Sequence, residues 1–569
     1  MPAKNITYSS DTELDVKLVE LKSMAVKILE LEPKNTDALN SLGLVSKQLE
    51  DFEPAVDFFQ RAHSIAPERQ DYKCNLIESL VLLSKSMHDN GDASRAIIFL
   101  KRALLLRPGD VSLLCKLSML LSLSNNYKEA LVISEQAFLN DPESAQAYEA
   151  NGLALLGSNR ADLSISRFKK ALKYDRTSAS IHSNLGLAYR AKGDLNEAIK
   201  HFEKAINLDK NHIQAYNNLG VSFLDINDLG RAQRALQKAI EIDECFAEAH
   251  FNLSRVMLMG ENFQMGWEHN EWRWHCSDFP STRRNFPQPI WNGEDLRKKN
   301  ILVWSEQGIG DEIMFASILP ELTRDCANIF WECNERLVPI FRRSFRGVHV
   351  FPRQDPMHPD IKKFNADFQT ALGSLCKFYR RKASDFPSKT RGFLKANPSL
   401  AREMRSRYSS LGSGLKIGIS WTSGNPIVGE SRSIPIKFWE EIFKIKNCHF
   451  INLQYGDYKE DLIKVLNTTG VRVFDDVTIN PLNNAEHWFA QIAALDHVIS
   501  VDNSTIQVSG ALGIPTWTLV SHNPEWRFGL SRSDHLWHPS VRVFRQKKQG
   551  EWTSIMREIA RALVPLIGN

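Results

Sequence analysis

The sequence has few of the features that mark a secreted, membrane-spanning or zinc-binding protein. Its eight cysteines are scattered over 569 residues without a C-x-x-C pair, which argues against a disulfide framework and a structural zinc site. It contains no apolar run of about 18 residues, and residues 1–10 have no apolar segment, so we expect neither a membrane span nor a secretory signal. These absences predict reduced thiols and a cytoplasmic location.

The sequence also has little excess of charge of either sign. The net charge is only +4, which over this length is too small to indicate nucleic acid or an anionic membrane as the main partner. Hydrophobic residues make up 43% and charged residues 24%, both ordinary for globular protein, so wholesale disorder is excluded. The length predicts three or four structural units rather than one core.

Small residues recur every 34 residues in the first half of the chain. One register contains Ala103, Ala137, Ala171, Ala205 and Ala239, and a second contains Ala96, Ala130, Ser164, Ala198 and Ala232. This period is typical of tetratricopeptide repeats, in which small side chains lie where paired helices cross. Prolines at 33, 67, 108 and 142 are expected to end second helices. The pattern predicts an α-solenoid over residues 1–275, with six clear repeats in 36–246 and a short insertion near residues 70–76.

Asparagines recur at the same step on the first helices, which line the concave face of such a solenoid. They are Asn184, Asn218 and Asn252. Carboxamides repeated along a groove can pair with the backbone of an extended peptide, so these residues are candidates for binding an acceptor protein. The alternative is that they bridge neighbouring helices within the array.

The remaining chain alternates short apolar strands with helices, which predicts parallel α/β sheets. The predicted strands are 301–304, 329–331, 348–351, 366–368, 416–421, 449–453, 471–474, 497–501 and 515–520. Residues 276–299 are expected to form a linker, 300–412 a first Rossmann-like half and 413–569 a second. Ligands of such sheets bind beyond the carboxyl ends of the strands. Two facing halves suggest a GT-B glycosyltransferase, although oxidoreductases and kinases also use doubled sheets, so topology alone leaves function open.

The loop after the first strand carries the strongest candidate for catalysis. Gly308 and Gly310 allow close approach of a ligand, but no third glycine follows and no Walker A sequence occurs, so a dinucleotide fingerprint is weak. Asp311 is the candidate base that would take a proton from an attacking hydroxyl. It could instead cap the following helix, and Glu306 and Glu312 are rival bases.

The second half has a small, flexible loop after its first strand, including Trp421, Ser423 and Gly424, with Arg432 a few residues later. A diphosphate leaving group needs backbone N–H donors and a fixed cation, which makes these residues donor-binding candidates without requiring a metal. Arg432 could also be a solvated charge at a helix start. The basic run 380–382 is expected to be a solvated loop.

A later loop, Asp502, Asn503 and Ser504, stands between a strand and a helix. Ser504 with Gln507 matches a capping box, which needs no ligand, yet an exposed helix N-terminus is also where phosphate binds. We expect ligand contact within 502–507. Asp475 and Asp476 are adjacent on an extended segment and point to opposite faces, so no metal site is predicted there.

Several segments together resemble bacterial TPR–glycosyltransferase fusion proteins, whose catalytic part is similar to the lipopolysaccharide heptosyltransferase superfamily. They are Trp304–Phe315, Asn452–Asp457, Ile499–Ser504, Gly510–Gly513, Trp526–Arg527 and Trp537–Gln546. The resemblance implies a GT-B fold and inverting, metal-independent transfer from a nucleotide sugar, which is a substrate rather than a cofactor. It adds Gln454, Tyr455 and Trp526 to the donor-binding set.

The resemblance also implies roles for two short motifs. Gly310-Asp311 falls where the family carries its proposed base, and 502–507 falls where it binds the donor diphosphate. Gln507 stands where histidine is usual, so it can donate a neutral hydrogen bond but brings no positive charge. Some relatives are flagellin glycosyltransferases, which implies transfer to a protein hydroxyl. The alternatives are a glycan or lipid-linked acceptor, or a scaffold whose GT-B part is inactive.

Overall fold

The computed structural model describes residues 11–425 and 429–567, with the backbone alone for residues 11–17, and the chain divides after Ser222 into two compact units. The N-terminal part is a helical solenoid, and the C-terminal region contains two parallel α/β sheets. The solenoid helices are α1 (Asp11–Leu31), α2 (Thr36–Gln48), α3 (Phe52–Ile65), α4 (Gln70–Asp89), α5 (Ala93–Leu106), α6 (Val111–Leu123), α7 (Tyr127–Asn140), α8 (Ala145–Gly157), α9 (Ala161–Tyr174), α10 (Ala179–Lys192), α11 (Leu195–Leu208) and α12 (Ile213–Asp225). The helix pattern continues in the second unit with α13 (Leu229–Ile242), α14 (Ala247–Met259) and α15 (Phe263–Asn270).

The helix boundaries confirm how the repeats were located in the sequence. Helices α1, α3, α5 and α7 each end two residues before a proline, which disfavours helical geometry in the residue that precedes it. Helix α4 has 20 residues whereas α2 has 13, so the insertion near residues 70–76 lengthens one helix. The ten small residues of the two registers are all completely buried.

Glycines on three first helices lie against a phenylalanine of the following helix. A Cβ atom on Gly43, Gly152 or Gly186 would come within 2.6–2.7 Å of Phe59, Phe168 or Phe202, respectively. The aromatic ring of the second helix therefore packs closely on the first helix of its own repeat. Only glycine leaves room for it at this crossing.

The first sheet has the strand order β3-β2-β1-β4 and is parallel throughout. Its strands are β1 (Asn300–Trp304), β2 (Asn328–Cys333), β3 (Val348–Pro352) and β4 (Phe368–Ala371). Its helices, including the connection to the second sheet, are α16 (Ile309–Phe315), α17 (Leu319–Asp325), α18 (Val338–Ser344), α19 (Cys376–Tyr379) and α20 (Pro398–Ser409). The order reverses between β1 and β4, so the loop after β1 opens at a switch point, where ligands bind such sheets.

The second sheet has the order β6-β5-β7-β8-β9, again parallel. Its strands are β5 (Leu415–Ser420), β6 (Cys448–Asn452), β7 (His497–Val501), β8 (Thr516–Val520) and β9 (Val541–Arg545). Its helices are α21 (Gly429–Arg432), α22 (Glu440–Phe443), α23 (Lys459–Thr469), α24 (Ala485–Ala493), α25 (Ser504–Leu512) and α26 (Thr553–Ile567). The loops after β5 and β7 meet at its switch point.

Two expectations from the sequence need correction here. The apolar run 471–474 forms only an isolated bridge between Ile451 and Phe474, because just one of its residues pairs with the edge of β6. Arg380 in the basic run is completely buried, and its Nη1 donates to Glu321 at 2.8 Å, whereas Arg381 and Lys382 are exposed. The carboxylate and nearby backbone oxygens satisfy the charge that the sequence alone assigned to solvent.

Candidate functional site

A cavity of about 680 Å³ lies in the second unit, at the carboxyl ends of both sheets. Its wall includes the loop after β1, the loops after β5 and β7, the segment 525–527, and residues of α14 and α15. It falls within the size range of small-molecule sites, roughly 300–1,000 Å³. The candidate residues that line it are Gly308, Gly310, Asp311, Ser423, Gly424, Arg432, Tyr455, Asp502, Asn503, Ser504, Gln507 and Trp526.

Trp421 and Gln454, the other two donor-binding candidates, do not line this cavity. The Trp421 ring is completely buried in the core of the second sheet, and its Nε1 donates to Asp461 at 2.9 Å. The Gln454 amide oxygen accepts the backbone N–H groups of Trp421 and Thr422 at 3.0 and 2.9 Å. Both residues therefore shape the loop after β5 from behind.

Asp311 lies in the first turn of α16 and is not its cap. Gly308 holds the N-cap position, and the Asp311 carboxylate accepts from Nη1 of Arg527 at 3.1 Å. The preceding Gln307 has φ +62°, a left-handed conformation that is uncommon for a residue with a side chain and costs energy. The chain is thus held in an unfavourable conformation four residues before the candidate base, directly before the N-cap of α16.

The rival bases are both buried away from the cavity. Glu306 makes a bidentate pair with the buried Arg273, at 2.7 and 2.8 Å. Glu312 accepts the backbone N–H of Asn334 at 2.9 Å, and burial raises the pKa of its carboxyl to about 7. Among these three carboxyls, Asp311 alone borders the cavity.

Helix α25 begins differently from the capping-box prediction. Asn503 is the N-cap, since its Oδ1 accepts the N–H of Thr505 at 3.0 Å, and Ser504 is the first helical residue. The Asn503 amide nitrogen also donates to Ser420 at 2.8 Å and to the carbonyl of Thr422 at 3.1 Å. One side chain therefore ties the start of α25 to the loop after β5.

Gln507 lies one turn into α25 and is almost completely buried. Its Oε1 is 2.8 Å from Nε2 of His538, whose pKa is lowered to about 3 by burial and secondarily by Arg527. An amide oxygen only accepts, so the neutral ring carries its proton on Nε2. A Cβ on Gly510 would come within 2.5 Å of this imidazole, so the glycine makes room for it.

Arg432 is partly buried between two carboxylates, so it is not the solvated charge at a helix start that the sequence left open. It lies at the end of α21, its Nη1 is 3.3 Å from Asp502, and its Nη2 makes an ion pair with Glu525. Burial raises the pKa of Asp502, although Arg432 and Arg527 oppose the shift.

Sequence reasoning did not select Arg255, Glu525 and Arg527 as site residues. Burial opposes the charged form of Arg527, but Asp311, Asp502 and Glu525 raise its pKa above the ordinary value. Arg527 directly follows Trp526, a predicted donor-binding residue, so its position in the sequence could have identified it as a site residue. Arg255 lies on solenoid helix α14, where no local pattern distinguishes it from a surface arginine.

The three asparagines of the solenoid are half-buried on α10, α12 and α14. The Asn184 amide nitrogen donates to Glu149 on α8 at 2.8 Å, and burial raises the pKa of that carboxyl. Asn75 likewise donates to Asn40 at 2.9 Å between α4 and α2. For Asn184 the structure therefore shows the helix-bridging contact that was the alternative to peptide binding.

Comparison with protein families identifies the repeats. Tetratricopeptide repeat families match residues 36–69 and 177–244. The chain carries tetratricopeptide repeats. Among solved structures, it resembles a thermophilic TPR protein of Thermus thermophilus, at 19% identity and TM-score 0.31, covering 32% of this chain and 99% of that one. A tetratricopeptide repeat protein from Parabacteroides merdae gives 15% identity and TM-score 0.36, covering 41% and 90%.

A longer match is to protein FlbA of Caulobacter vibrioides. The two are 30% identical over 311 residues, which is 52% of this chain and 52% of FlbA. The chain thus spans about half the length of the curated relative it matches. No helix in the described part of the chain is both long and apolar enough to cross a membrane.

Proposed function

We propose that the two sheets form a GT-B glycosyltransferase, with halves at 300–412 and 413–569, which moves a sugar from a nucleotide-sugar donor to a protein hydroxyl. One observation carries the proposal. The cavity brings a carboxylate from the first sheet, Asp311, together with Arg432 and the N-terminus of α25 from the second. Transfer to a hydroxyl needs a proton acceptor on one side of the reacting carbon and charge stabilisation on the other.

The residues divide into roles that fit this chemistry. Asp311 would take the proton of the attacking hydroxyl as the new glycosidic bond forms. The diphosphate would leave towards Arg432 and the N–H groups at the start of α25, which favour negative charge. Attack opposite to the leaving group inverts the configuration of the sugar carbon.

The solenoid would bind the acceptor protein and bring it to the cavity. Tetratricopeptide repeats commonly bind protein segments, and first helices line the concave face of such arrays. Asn218 and Asn252 stay candidate contacts, while an acceptor would have to compete with Glu149 for Asn184.

The proposal is tested with the purified full chain and a panel of nucleotide sugars. A donor that binds the folded state raises the unfolding temperature, and the donor selected in this way is then assayed for sugar transfer to co-expressed surface proteins. Asp311→Asn should lower the transfer rate at least about 100-fold while keeping donor binding, since general base catalysis contributes roughly 10²–10⁴-fold.

Asp295→Asn is the matched control, because it removes an exposed aspartate that pairs only with nearby Arg297 in the described structure. Transfer that survives Asp311→Asn would contradict the assigned base. Failure of every donor to bind would contradict the enzymatic function itself and favour a scaffold.

A further inference from the structure

Arg432, the cation proposed to bind the diphosphate, is already paired with two carboxylates of the protein. Arg432 contacts Asp502 with one terminal nitrogen and Glu525 with the other, and the three side chains are only 15%, 7% and 19% exposed. A guanidinium fork matches two oxygens of a phosphate in the same way that it matches carboxylate oxygens. A phosphate and Glu525 therefore compete for one nitrogen.

The formal charges of the described cavity lining also cancel. Three arginines, Arg255, Arg432 and Arg527, face three carboxylates, Asp311, Asp502 and Glu525. A nucleoside diphosphate brings at least two negative charges into this partly buried space, where an unpaired charge is costly. Binding it without rearrangement would leave carboxylate and phosphate oxygens beside each other.

Glu525 is better able to leave Arg432 than Asp502 is. Asp502 directly follows the last residue of β7 and precedes the N-cap of α25, so its backbone is fixed on both sides. Glu525 precedes a single turn of 3-10 helix, Trp526–Phe528, and its longer side chain has one more rotatable bond. It is also the more exposed of the two carboxylates.

We propose that Glu525 occupies the phosphate position on Arg432 in the free protein and is displaced when a diphosphate binds. This inference rests on the proposed function, and it assigns Glu525 as a specificity-determining residue. A ligand must compensate for the lost Arg432–Glu525 pair, which two phosphate groups do better than a single carboxylate or a neutral sugar.

The test is calorimetric binding of inorganic pyrophosphate, and separately of UDP, GDP, CDP and ADP, to the full chain. Glu525→Gln should bind pyrophosphate at least about tenfold more tightly than the unchanged protein, because the competing charge is gone. Glu525→Asp, whose shorter side chain reaches Arg432 less well, should be intermediate and guards against a folding defect of the glutamine variant.

Glu261→Gln is the matched control, since it removes one negative charge from a half-exposed pair with Arg532 outside the cavity. It should leave the affinity for pyrophosphate within about twofold, as expected for an exposed pair. In crystals soaked with pyrophosphate, Arg432 should contact a phosphate oxygen instead of Glu525.

The results separate the two proposals. Binding to the unchanged protein with equal or weaker binding to Glu525→Gln overturns the displacement and leaves the glycosyltransferase proposal standing. No binding of any of these anions to either protein overturns both. An Arg432–Glu525 pair that persists beside bound pyrophosphate also overturns the displacement.

Discussion

At the scale of single residues, three neighbouring carboxyls have different surroundings. Glu306 is neutralised by Arg273 in the interior, Glu312 is buried against a backbone N–H, and Asp311 borders the cavity beside Arg527. Their roles therefore differ although they are neighbours in the chain: Asp311 is open to a ligand, whereas Glu306 and Glu312 are held by partners in the interior.

Glu312→Gln should remove a pH dependence of stability. The folded pKa of about 7 lies above the ordinary value of 4.5, so the folded state binds the proton more tightly. Its contribution is full below pH 4.5 and is lost as the pH rises through 7, a loss of about 3 kcal/mol. The measurement is the unfolding free energy of both proteins between pH 4.5 and 8.

The glutamine variant keeps an acceptor for the Asn334 N–H but has no carboxyl that titrates. Its stability should therefore fall less than that of the unchanged protein between pH 4.5 and 8. If stability falls equally with pH in the two proteins, the pKa of Glu312 in the folded state is not raised, and the prediction is wrong. The comparison cancels the contributions of the other titrating groups.

At the scale of elements, the close crossing of paired helices depends on a glycine in at least three of the pairs. Gly186 on α10 faces the Phe202 ring of α11, and the same contact recurs at Gly152 with Phe168. Close-packed interiors absorb added volume poorly, so a methyl group at this crossing forces the helices apart or strains the ring.

Gly186→Ala should therefore lower stability by about 1–3 kcal/mol, despite the better helix propensity of alanine. The added Cβ would lie 2.7 Å from Phe202. The measurement is thermal and urea unfolding followed by circular dichroism. Combining it with Phe202→Leu should restore part of the loss if the clash is its cause.

Gly230→Ala is the control at a helical glycine with open surroundings. The nearest atoms to its added Cβ are 3.8 Å away, in flexible side chains, so stability should be unchanged or slightly higher. An equal loss in both variants would contradict the packing explanation.

At the scale of the whole molecule, the candidate site belongs to one of the two compact units. Every described residue that lines the cavity comes after residue 222, including those of the solenoid helices α14 and α15. A ligand bound in the cavity therefore directly stabilises the second unit, which contains it.

Hydrogen exchange with and without pyrophosphate should show that the stabilisation is confined to the second unit. At 100 times the dissociation constant, binding adds about 2.7 kcal/mol to the stability of the unit that binds. Segments 305–315, 421–425, 502–507 and 525–527 should exchange more slowly, whereas α2–α11 should be unchanged. Protection that is strongest in α2–α11 would contradict the location of the site.

Local sequence signals predicted much of the fold. The 34-residue period located the helix pairs, and the prolines located the ends of α1, α3, α5 and α7. Most strands were also predicted, since buried parallel strands are continuous apolar runs. The run 471–474 has that composition but gains only one bridge, because strand formation also needs a partner along its length.

The candidate site was predictable only in part. Gly308, Asp311 and Asn503 follow strands in the chain, so the topology places them near a ligand. Trp421 occupies an equivalent place, but its ring turns into the core, and which way a side chain faces at a strand end is set by packing.

The sequence by itself determined the repeat architecture, the α/β character of the second part and the loops that border the cavity, because these depend on spacing within short segments. The tertiary structure decided which charges meet: Arg432 with Asp502 and Glu525, and Asp311 with Arg527. These partners are separated by 70–216 positions in the chain. Electrostatic interaction depends on distance in space and on burial, neither of which is encoded in local spacing.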